Sequence, residues 1–263
     1  MTGNICQVLK SEHFKIQFSH EGYLVQTNLT HAAIAIDGPA ASGKSTVGRM
    51  LADYLGYLFL DTGCMYRAVT LAVIRKGVDI NDEQSVVSLA ESLDLVILPP
   101  GGSEDGRLYT VLLNDRDVTW DLRLSEVDAN VSQVSAYEGV RRDLVRRQRE
   151  IANQGKVVVV GRDIGTVVIP SAPLKLFVIA SAKERARRRW LEQLERTKDV
   201  DYERTLKDIA RRDSIDGNRE HSPLRQATDA IIVDTTDKSP DSVLEEILAL
   251  DYFQPIQTGG ELG

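Results

Sequence analysis

Residues 38–45 restrict the fold of this chain more than any other stretch, because they read Gly-Pro-Ala-Ala-Ser-Gly-Lys-Ser, the pattern G-x-x-x-x-G-K-[ST]. An apolar run that ends at Asp37 precedes them, and a stretch of helical periodicity follows them. Between a strand and a helix, such a loop turns its backbone N–H groups and the positive helix end toward an anion. A plain glycine-rich turn would not need this setting. The sequence therefore predicts a phosphate-binding loop.

Five short runs along the chain are apolar without alternation, as expected of strands buried on both faces of a parallel sheet. Stretches of helical periodicity separate most of them. This alternation indicates the α/β class, here a P-loop NTPase fold with a five-stranded, doubly wound parallel sheet. The expected strands are Ala32–Asp37, Leu58–Asp61, Val157–Gly161, Leu174–Ile179 and Ile231–Asp234, and the clearest expected helices are Ser45–Leu55, Met65–Arg75, Gly139–Asn153, Lys183–Glu195 and Pro240–Leu250.

Three local signals mark expected helix ends. Ser181 followed by Glu184 forms a capping box, and Ser239 followed by Pro240 is an N-cap with proline at the first helical position. Gly155 stands just after a helical stretch, where a left-handed cap is expected. These signals predict helix ends from local sequence alone.

Two segments interrupt the alternation of strands and helices. Within residues 94–136, the runs DLVIL and LYTVLL are separated by PPGGSEDG and followed by NDRD, a pattern typical of a small antiparallel insert. Residues 182–225 have helical periodicity and are rich in arginine, so they carry a net positive charge within an acidic chain. We expect one domain over residues 32–252, with a loosely structured N-terminal extension at 1–31 and a flexible tail at 253–263.

The composition argues against several classes of protein. With 39 acidic and 32 basic residues, the chain would repel a nucleic-acid backbone. Cys6 and Cys64 are far apart and outside any CxxC pattern, which argues against a disulfide framework or a zinc site. No run approaches the ~20 apolar residues of a membrane span, and the first residues lack the apolar core of a secretory signal. We therefore expect a cytoplasmic protein with neither nucleic-acid nor membrane partners. As a separate expectation, we take the protein to be a monomer.

A phosphate-binding loop alone is compatible with a kinase, a GTPase or a motor ATPase. The sequence has no N-K-x-D motif, which a small GTPase needs, and no strand ending in paired acidic residues, as a motor ATPase usually has. The arginine-rich segment favours a kinase whose lid closes over ATP. In such a kinase Lys44 would reach the β- and γ-phosphates and Ser45 would bind Mg²⁺. The expected ATP-binding residues of the loop are Gly38, Pro39, Ala40, Ala41, Ser42, Gly43, Lys44, Ser45 and Thr46.

Further stretches of the chain resemble one family. They are IAIDGPAASGKST, LDTGCMYRA, VDANVSQVSA, VRRDLVRRQR, VVVVGRDIGTVVIPSAPLKLFVIAS, ERARRR and RRDSIDGNREHSPLRQATDAIIVDT. In their order and spacing they are similar to the bacterial-type cytidylate kinase family, over most of residues 34–250. The resemblance implies transfer of phosphate from ATP to CMP and dCMP with Mg²⁺. It also implies that residues 94–136 are the nucleotide-binding insert and that residues 182–225 are the lid.

The same resemblance implies roles for individual residues. Ser132, Arg141 and Asp163 would contact cytosine. Thr62 and Arg67 would contact the acceptor nucleotide and Arg162 its phosphate, and the residues around its ribose and phosphate would be Arg212, Asp216 and Arg219. Arg185 and Arg188 would contact ATP. They belong to a run of arginines that also includes Arg187 and Arg189. Lys44, Arg162 and Arg219 would be the catalytic residues. Separately from the resemblance, Asp61 ends a predicted strand at the ligand-binding edge of the sheet, and we expect it to contact Mg²⁺ through water.

The base edge of cytosine suits these residue types. Cytosine presents an N4 amino donor beside acceptors at N3 and O2. Ser132 and Asp163 offer acceptors for N4, and Arg141 offers a donor fork for N3 and O2. Uracil would leave these buried groups mispaired, at a cost of about 1–3 kcal/mol each. The residue types therefore favour CMP over UMP as the acceptor.

Several alternatives stay open at this point. Arg212 and Asp216 are four residues apart and could form an exposed ion pair on a helix. Arg67 and Arg141 could be surface residues of amphipathic helices. A monophosphate kinase selective for UMP or a purine nucleotide is the nearest alternative function. A protein that binds nucleotide without transferring phosphate is an alternative of another class.

Overall fold

The structure is a computed structural model of the chain, and it describes residues 32–101, 105–195 and 200–253 together with the backbone of residues 8–11 and 14–17. The chain divides into two compact units. The phosphate-loop unit comprises Gly22–Leu60, Ala152–Asp213 and Leu224–Gly263, and the insert unit comprises Met1–Glu21, Asp61–Ile151 and Ser214–Pro223.

A five-stranded parallel sheet forms the centre of the phosphate-loop unit. In order across the sheet, its strands are β10 (Ile231–Asp234), β9 (Leu174–Ile179), β3 (Ala33–Asp37), β8 (Val157–Gly161) and β4 (Leu58–Asp61). All five occupy the runs expected from the sequence, and the α/β fold class is confirmed. The register places Asp37, the last residue of β3, opposite Gly161 on β8. The loops that follow these two strands therefore begin side by side, at the edge where ligands of α/β sheets bind.

Complete burial of the central strands explains their continuous apolar sequence. The side chains from Ile34 to Ile36 on β3 and from Val157 to Val160 on β8 have no exposed surface. A polar residue on either face would therefore lose its water without a partner. β10 lies at the edge of the sheet, and there Ile232 is exposed.

The helices of the phosphate-loop unit begin and end close to the expected residues. Ser181 accepts from the N–H of Glu184, and Ser239 accepts from the N–H of Ser242 with Pro240 in the first turn, so both N-caps are confirmed. Gly155 has a left-handed φ of 73°, as expected. No helix in the described part of the chain has both the length and the apolar character that crossing a bilayer requires. The helices are α1 (Lys44–Leu55), α6 (Ala182–Leu194), α7 (Tyr202–Asn218), which ends in the insert unit, and α8 (Pro240–Leu248).

The insert unit combines helices with a second sheet. Its helices are α2 (Thr62–Arg75), α3 (Glu83–Ser92), α4 (Ser125–Val134) and α5 (Glu138–Ala152), and its strands, in order across the sheet, are β1 (Val8–Ser11), β2 (Phe14–Gln17), β5 (Leu95–Leu98), β6 (Thr110–Leu113) and β7 (Arg116–Asp117). β5, β6 and β7 pair antiparallel, which confirms the predicted insert. Asn114 and Asp115 connect β6 to β7 with φ of 50° and 62°, as a type I′ turn requires.

Sequence periodicity missed two helices and one hairpin in the insert unit. α4 buries only Val127, Val131 and Val134 as apolar residues, and valine has low helix propensity, so the pattern gave a weak helical signal. α3 likewise buries only a narrow apolar stripe. β1 and β2 form an antiparallel hairpin in the segment where a loosely structured extension was expected. The rest of residues 1–31 and the expected tail after Phe253 lie outside the described residues.

Candidate active site

The loop after β3 has the conformation that the glycine pattern predicts. A Cβ on Gly38 would lie 2.1 Å from the backbone oxygen of Val178, so only glycine fits there. Ala41 and Gly43 have left-handed φ of 58° and 85°. Because Gly43 is the N-cap residue of α1, no side chain caps the anion-attracting end of that helix.

Lys44 lies along the inner side of this loop. Its side chain is buried, and Nζ donates to the backbone oxygen of Pro39 at 2.9 Å. Ser45 is half-buried in the first turn of α1, and Thr46 is exposed. The expected ATP-binding residues 38–46 thus form the loop after β3 and the first turn of α1, and the ammonium group of Lys44 is bound to a carbonyl of that loop.

Arg162 and Asp163 follow β8 and lie next to the loop. Nη1 of Arg162 donates to the backbone oxygen of Gly38 at 2.8 Å, and Asp163 is buried. The guanidinium of Arg162 and the ammonium of Lys44 therefore bind consecutive carbonyls of the loop, those of Gly38 and Pro39. Two cations on adjacent carbonyls favour the binding of phosphate groups here.

Asp37 is a buried residue of this site. From the sequence it was recognised only as the last residue of a strand, and no role in the site was predicted for it. Its carboxylate accepts from the N–H groups of Ile164 and Gly165, at 2.7 and 2.8 Å. Burial raises the pKa of Asp37 to about 6, and these two hydrogen bonds oppose that shift. An acidic residue directly before the glycine-rich loop was the signal that could have drawn attention to it.

The structure separates the lid arginines whose orientation the sequence left open. Arg185 is buried, bonds both carboxylate oxygens of Asp213 at 2.9 and 2.6 Å, and donates to the backbone oxygen of Ala40. Arg188 lies beside the loop, because its Nη1 would be 3.3 Å from a Cβ on Gly43. Arg187 pairs with Glu184 and is 57% exposed. Arg185 and Arg188, the two arginines expected to contact ATP, thus both lie against the loop.

Thr235, which follows β10, is a second residue that the sequence analysis missed. Its hydroxyl donates to the backbone oxygen of Ser42 at 2.9 Å and accepts from Nη1 of Arg188 at 2.9 Å. Its backbone oxygen accepts a second bond from Arg188 at 2.6 Å. Thr235 therefore joins the loop to the arginine beside it.

Replacing Thr235 with valine keeps the shape of the side chain but removes these hydroxyl bonds. We expect a loss of about 1–3 kcal/mol in the free energy of unfolding, because the Ser42 oxygen and Arg188 lose a buried partner. The KM for ATP should rise several-fold. Urea unfolding and ADP-release kinetics measure the two effects, with Thr228→Val at an exposed threonine as the control. Equal behaviour of the two variants would contradict the role of Thr235.

In the insert unit, Arg67 joins α2 to α4. It donates to Oδ1 of Asp128 at 2.7 Å and to the backbone oxygen of Leu122 at 2.9 Å. Its guanidinium is therefore held in one orientation rather than lying on a free helix surface. Asp128 belongs to the stretch VDANVSQVSA but was not singled out from the sequence.

The two expected cytosine contacts of the insert unit lie close together. Ser132 and Arg141 are both buried, and Nη1 of Arg141 donates to the backbone oxygen of Ser135 at 3.0 Å. Ser135 in turn bonds the backbone oxygen of Ser132. The guanidinium of Arg141 stacks 5.4 Å from the ring centre of Tyr66, a contact the sequence did not reveal. The alternative that Arg141 is an ordinary surface residue is wrong.

The remaining expected residues of the insert unit are held by local contacts. Thr62 is buried as the first residue of α2, behind Asp61, whose side chain caps the helix by accepting from Gly63. Asp216 is buried on α7, which excludes an exposed ion pair as its role. Nε of Arg219 donates to the backbone oxygen of Ser222 at 2.6 Å. Arg212 lies on the same helix, in the phosphate-loop unit, and is half-buried.

Comparisons with known proteins agree with these features. The family model for cytidylate kinase matches residues 34–252. A cytidylate kinase of Roseiflexus castenholzii is 48% identical over 218 residues, covering 83% of this chain and 92% of its own length. One from Bacillus subtilis is 44% identical over 216 residues, covering 82% and 94%. A solved structure, TT1252 from Thermus thermophilus, is similar at 20% identity and a TM-score of 0.40 over 82% of this chain and 94% of its own, too distant to bear on function. The chain belongs to the cytidylate kinase family.

Proposed function

We propose that the protein transfers the γ-phosphate of ATP to CMP, and to dCMP, giving ADP and CDP or dCDP in pyrimidine nucleotide metabolism. Membership of the family makes the protein a nucleoside monophosphate kinase with ATP as phosphoryl donor. The observation that carries the proposal is the pair of cations, Lys44 and Arg162, bound to consecutive carbonyls of the phosphate-binding loop. From the composition we further infer that the enzyme is cytoplasmic, and we propose that it is a monomer.

On the donor side, we assign residues 38–46 to the triphosphate and Ser45 to Mg²⁺. The half-buried Ser45 fits this ion, because Mg²⁺ prefers oxygen ligands and keeps several waters and phosphate oxygens around it. Bound there, the ion would neutralise charge on the β- and γ-phosphates. As expected from the sequence, we also assign to Asp61 a contact with this ion through water. Arg185 and Arg188 would contact ATP from the lid, residues 182–225, once the bonds of Arg185 to Asp213 and Ala40 are exchanged.

On the acceptor side, we assign Ser132, Arg141 and Asp163 to cytosine. The burial of all three supports this assignment, because mispaired groups discriminate between bases only where water cannot replace the lost bond. The insert, residues 94–136, would bind the acceptor nucleotide. The other assigned residues are Thr62 and Arg67 for the nucleotide, Arg162 for its phosphate, and Arg212, Asp216 and Arg219 for its ribose and phosphate.

The mechanism needs no general base, because the acceptor phosphate is already ionised. The negative charges of the two phosphates repel each other, and catalysis consists of aligning them and cancelling that repulsion. Lys44, Arg162 and Arg219 would supply positive charge for this purpose. Water competes with CMP as nucleophile, so the lid would close only after both nucleotides have bound.

Replacing Asp163 with asparagine tests whether this residue recognises the cytosine base. An asparagine amide can donate to O4 of uracil, whereas the carboxylate of Asp163 can only accept a hydrogen bond there. We expect the ratio of kcat/KM for CMP to that for UMP to fall about 10- to 100-fold, as the mispairing energies above imply. Steady-state kinetics with both acceptors measure this ratio. An unchanged ratio would remove Asp163 from the base site.

A panel of four acceptors tests the function as a whole. The purified protein is given ATP and Mg²⁺ with CMP, UMP, AMP or GMP, and ADP release is followed in a coupled assay. We expect rapid release with CMP and little with the other three. Preference for another nucleotide would replace CMP as the substrate, and release that no acceptor stimulates would indicate a binding protein.

A further inference from the structure

The carboxylate of Asp37 caps a turn that belongs to a distant part of the chain. Residues Ile164–Val168 form one turn of π-helix directly after Asp163. Asp163 occupies the N-cap position of this turn, but its own side chain does not cap it. The bonds from the N–H groups of Ile164 and Gly165 go instead to Asp37, more than a hundred residues earlier. Asp37 thus caps the first N–H groups of this turn, a role that the side chain of the N-cap residue ordinarily has.

A second bond holds the residue on the other side of Asp163. The backbone oxygen of Gly38 accepts from Arg162, so two consecutive residues, Asp37 and Gly38, bind the chain on both sides of Asp163. The turn has little room to shift, because a Cβ on Gly165 would lie 3.3 Å from Oδ2 of Asp37 and 3.1 Å from Cδ of Lys175. The orientation of Asp163 is therefore determined from the end of β3.

We propose that Asp37 is a positioning residue of the acceptor site, which holds the turn after Asp163 and so keeps Asp163 in the orientation that binds CMP. The inference rests on the proposed function and extends it, because it names the group that positions Asp163, a residue assigned to cytosine. Asp37 acts through backbone N–H groups and is not itself a contact to substrate.

The ionised form of Asp37 is the one that can hold both N–H groups. Of the charged groups near it, Asp163 raises its pKa and Lys44 lowers it, and Lys175 packs against Gly165. A protonated carboxyl turns an O–H toward one of the two N–H donors and loses that bond. With a pKa of about 6, Asp37 should therefore release the turn as the pH falls through 6.

The pH dependence that Asp37 gives to the stability of the fold is opposite to the one it gives to the turn. The pKa of Asp37 is raised from 3.8, so folding favours its protonated form. Its contribution to stability is complete below about pH 4 and is lost as the pH rises through about 6. A loss of activity between pH 7 and 5 that comes from Asp37 therefore cannot be a loss of stability from the same group.

An NMR titration of the full-length protein without ligands tests the contact directly. We expect the amide protons of Ile164 and Gly165 to shift together between pH 5 and 8, with a midpoint near the pKa of about 6. The shift should vanish in Asp37→Asn. Amides that do not titrate in this range would overturn the inference. The titration does not depend on catalytic activity. The experiment on the wild type also does not depend on whether a variant folds.

Kinetics of Asp37→Asn test the consequence for the acceptor. The amide keeps one acceptor but places an NH₂ against the second N–H, so the turn should shift. We expect the KM for CMP to rise about 10- to 100-fold and the preference for CMP over UMP to weaken, as displacement of a binding group by about 1 Å would cause. The KM for ATP should change less than about two-fold. Asp53→Asn, at an exposed carboxylate of α1, should resemble the wild type.

The pH profile separates positioning from a purely structural role. In the wild type, kcat/KM for CMP should fall with the uptake of two protons below about pH 6, one by Asp37 and one by the CMP phosphate, whose second pKa is also about 6. Asp37→Asn should lose one of these two protons. A variant that loses rate but keeps both KM values, the base preference and the two-proton profile would overturn the inference. A wild type that fails the acceptor panel refutes the proposed function, whereas one that passes it without the amide titration refutes this inference alone.

Discussion

Replacing Lys44 with alanine is expected to lower kcat about 10³-fold, the upper end of what loss of one preorganised charge-stabilising group costs. Nζ of Lys44 is held 2.9 Å from the Pro39 oxygen inside the loop, so the ammonium group is in place before substrate arrives. It is needed most when charge builds up between the two phosphates in the transition state. A coupled ADP-release assay at saturating CMP and ATP measures the loss.

The binding of CMP should survive this change, because we assign no acceptor contact to Lys44. Isothermal titration with CMP should give a dissociation constant within about two-fold of the wild type, less than the energy of one hydrogen bond. Lys76→Ala, at an exposed lysine just after α2, removes one positive charge at the surface and should keep full activity. An equal loss of turnover and CMP binding would mean that Lys44 supports the fold rather than the reaction.

Replacing Arg147 with alanine is expected to lower the free energy of unfolding by about 3–5 kcal/mol, the usual cost of breaking a buried ion pair from one side. Arg147, on α5, has a side chain only 3% exposed, and its Nε lies 2.9 Å from Oδ2 of Asp143. Nη1 also donates to the backbone oxygen of Leu93, and Nη2 to that of Ala90, so the guanidinium binds the end of α3. Urea unfolding of the full chain measures the difference.

The chain provides a matched control on the same helix. Arg146 pairs with the same carboxylate, Asp143, at 2.8 Å, but its side chain is 56% exposed. Arg146→Ala should therefore cost less than about 1 kcal/mol, as for other exposed ion pairs. Similar losses in the two variants would show that burial does not determine how much Arg147 contributes to the free energy of unfolding.

Local sequence determined the parts of this protein that depend on neighbouring residues. The five strands were predicted because strands buried on both faces must be apolar at every position, and β3 and β8 are buried in this way. The caps at Ser181 and Ser239 followed from bonds between residues three apart. The phosphate-binding loop followed because only glycine fits where Gly38 passes the Val178 oxygen.

Resemblance to a family added the acceptor residues, which periodicity could not have named. Arg141 illustrates the difference. On the pattern of α5 alone it could have been a surface residue, and its burial beside Tyr66 became visible only when α2 and α5 were in place. α4 shows the converse, since its helix is stabilised by packing of three buried valines that individually disfavour it.

The sequence by itself thus determined the class of fold, the loop that binds phosphate and the family of the chain. Only the tertiary structure decided which groups hold that loop in shape. Asp37 bonds residues 127 and 128 positions away, and Thr235 bonds a residue 193 positions away. Such contacts depend on β3 lying between β8 and β9 and on β10 lying next to β9. Periodicity and caps describe interactions within one element, so they carry no information about which strand ends meet.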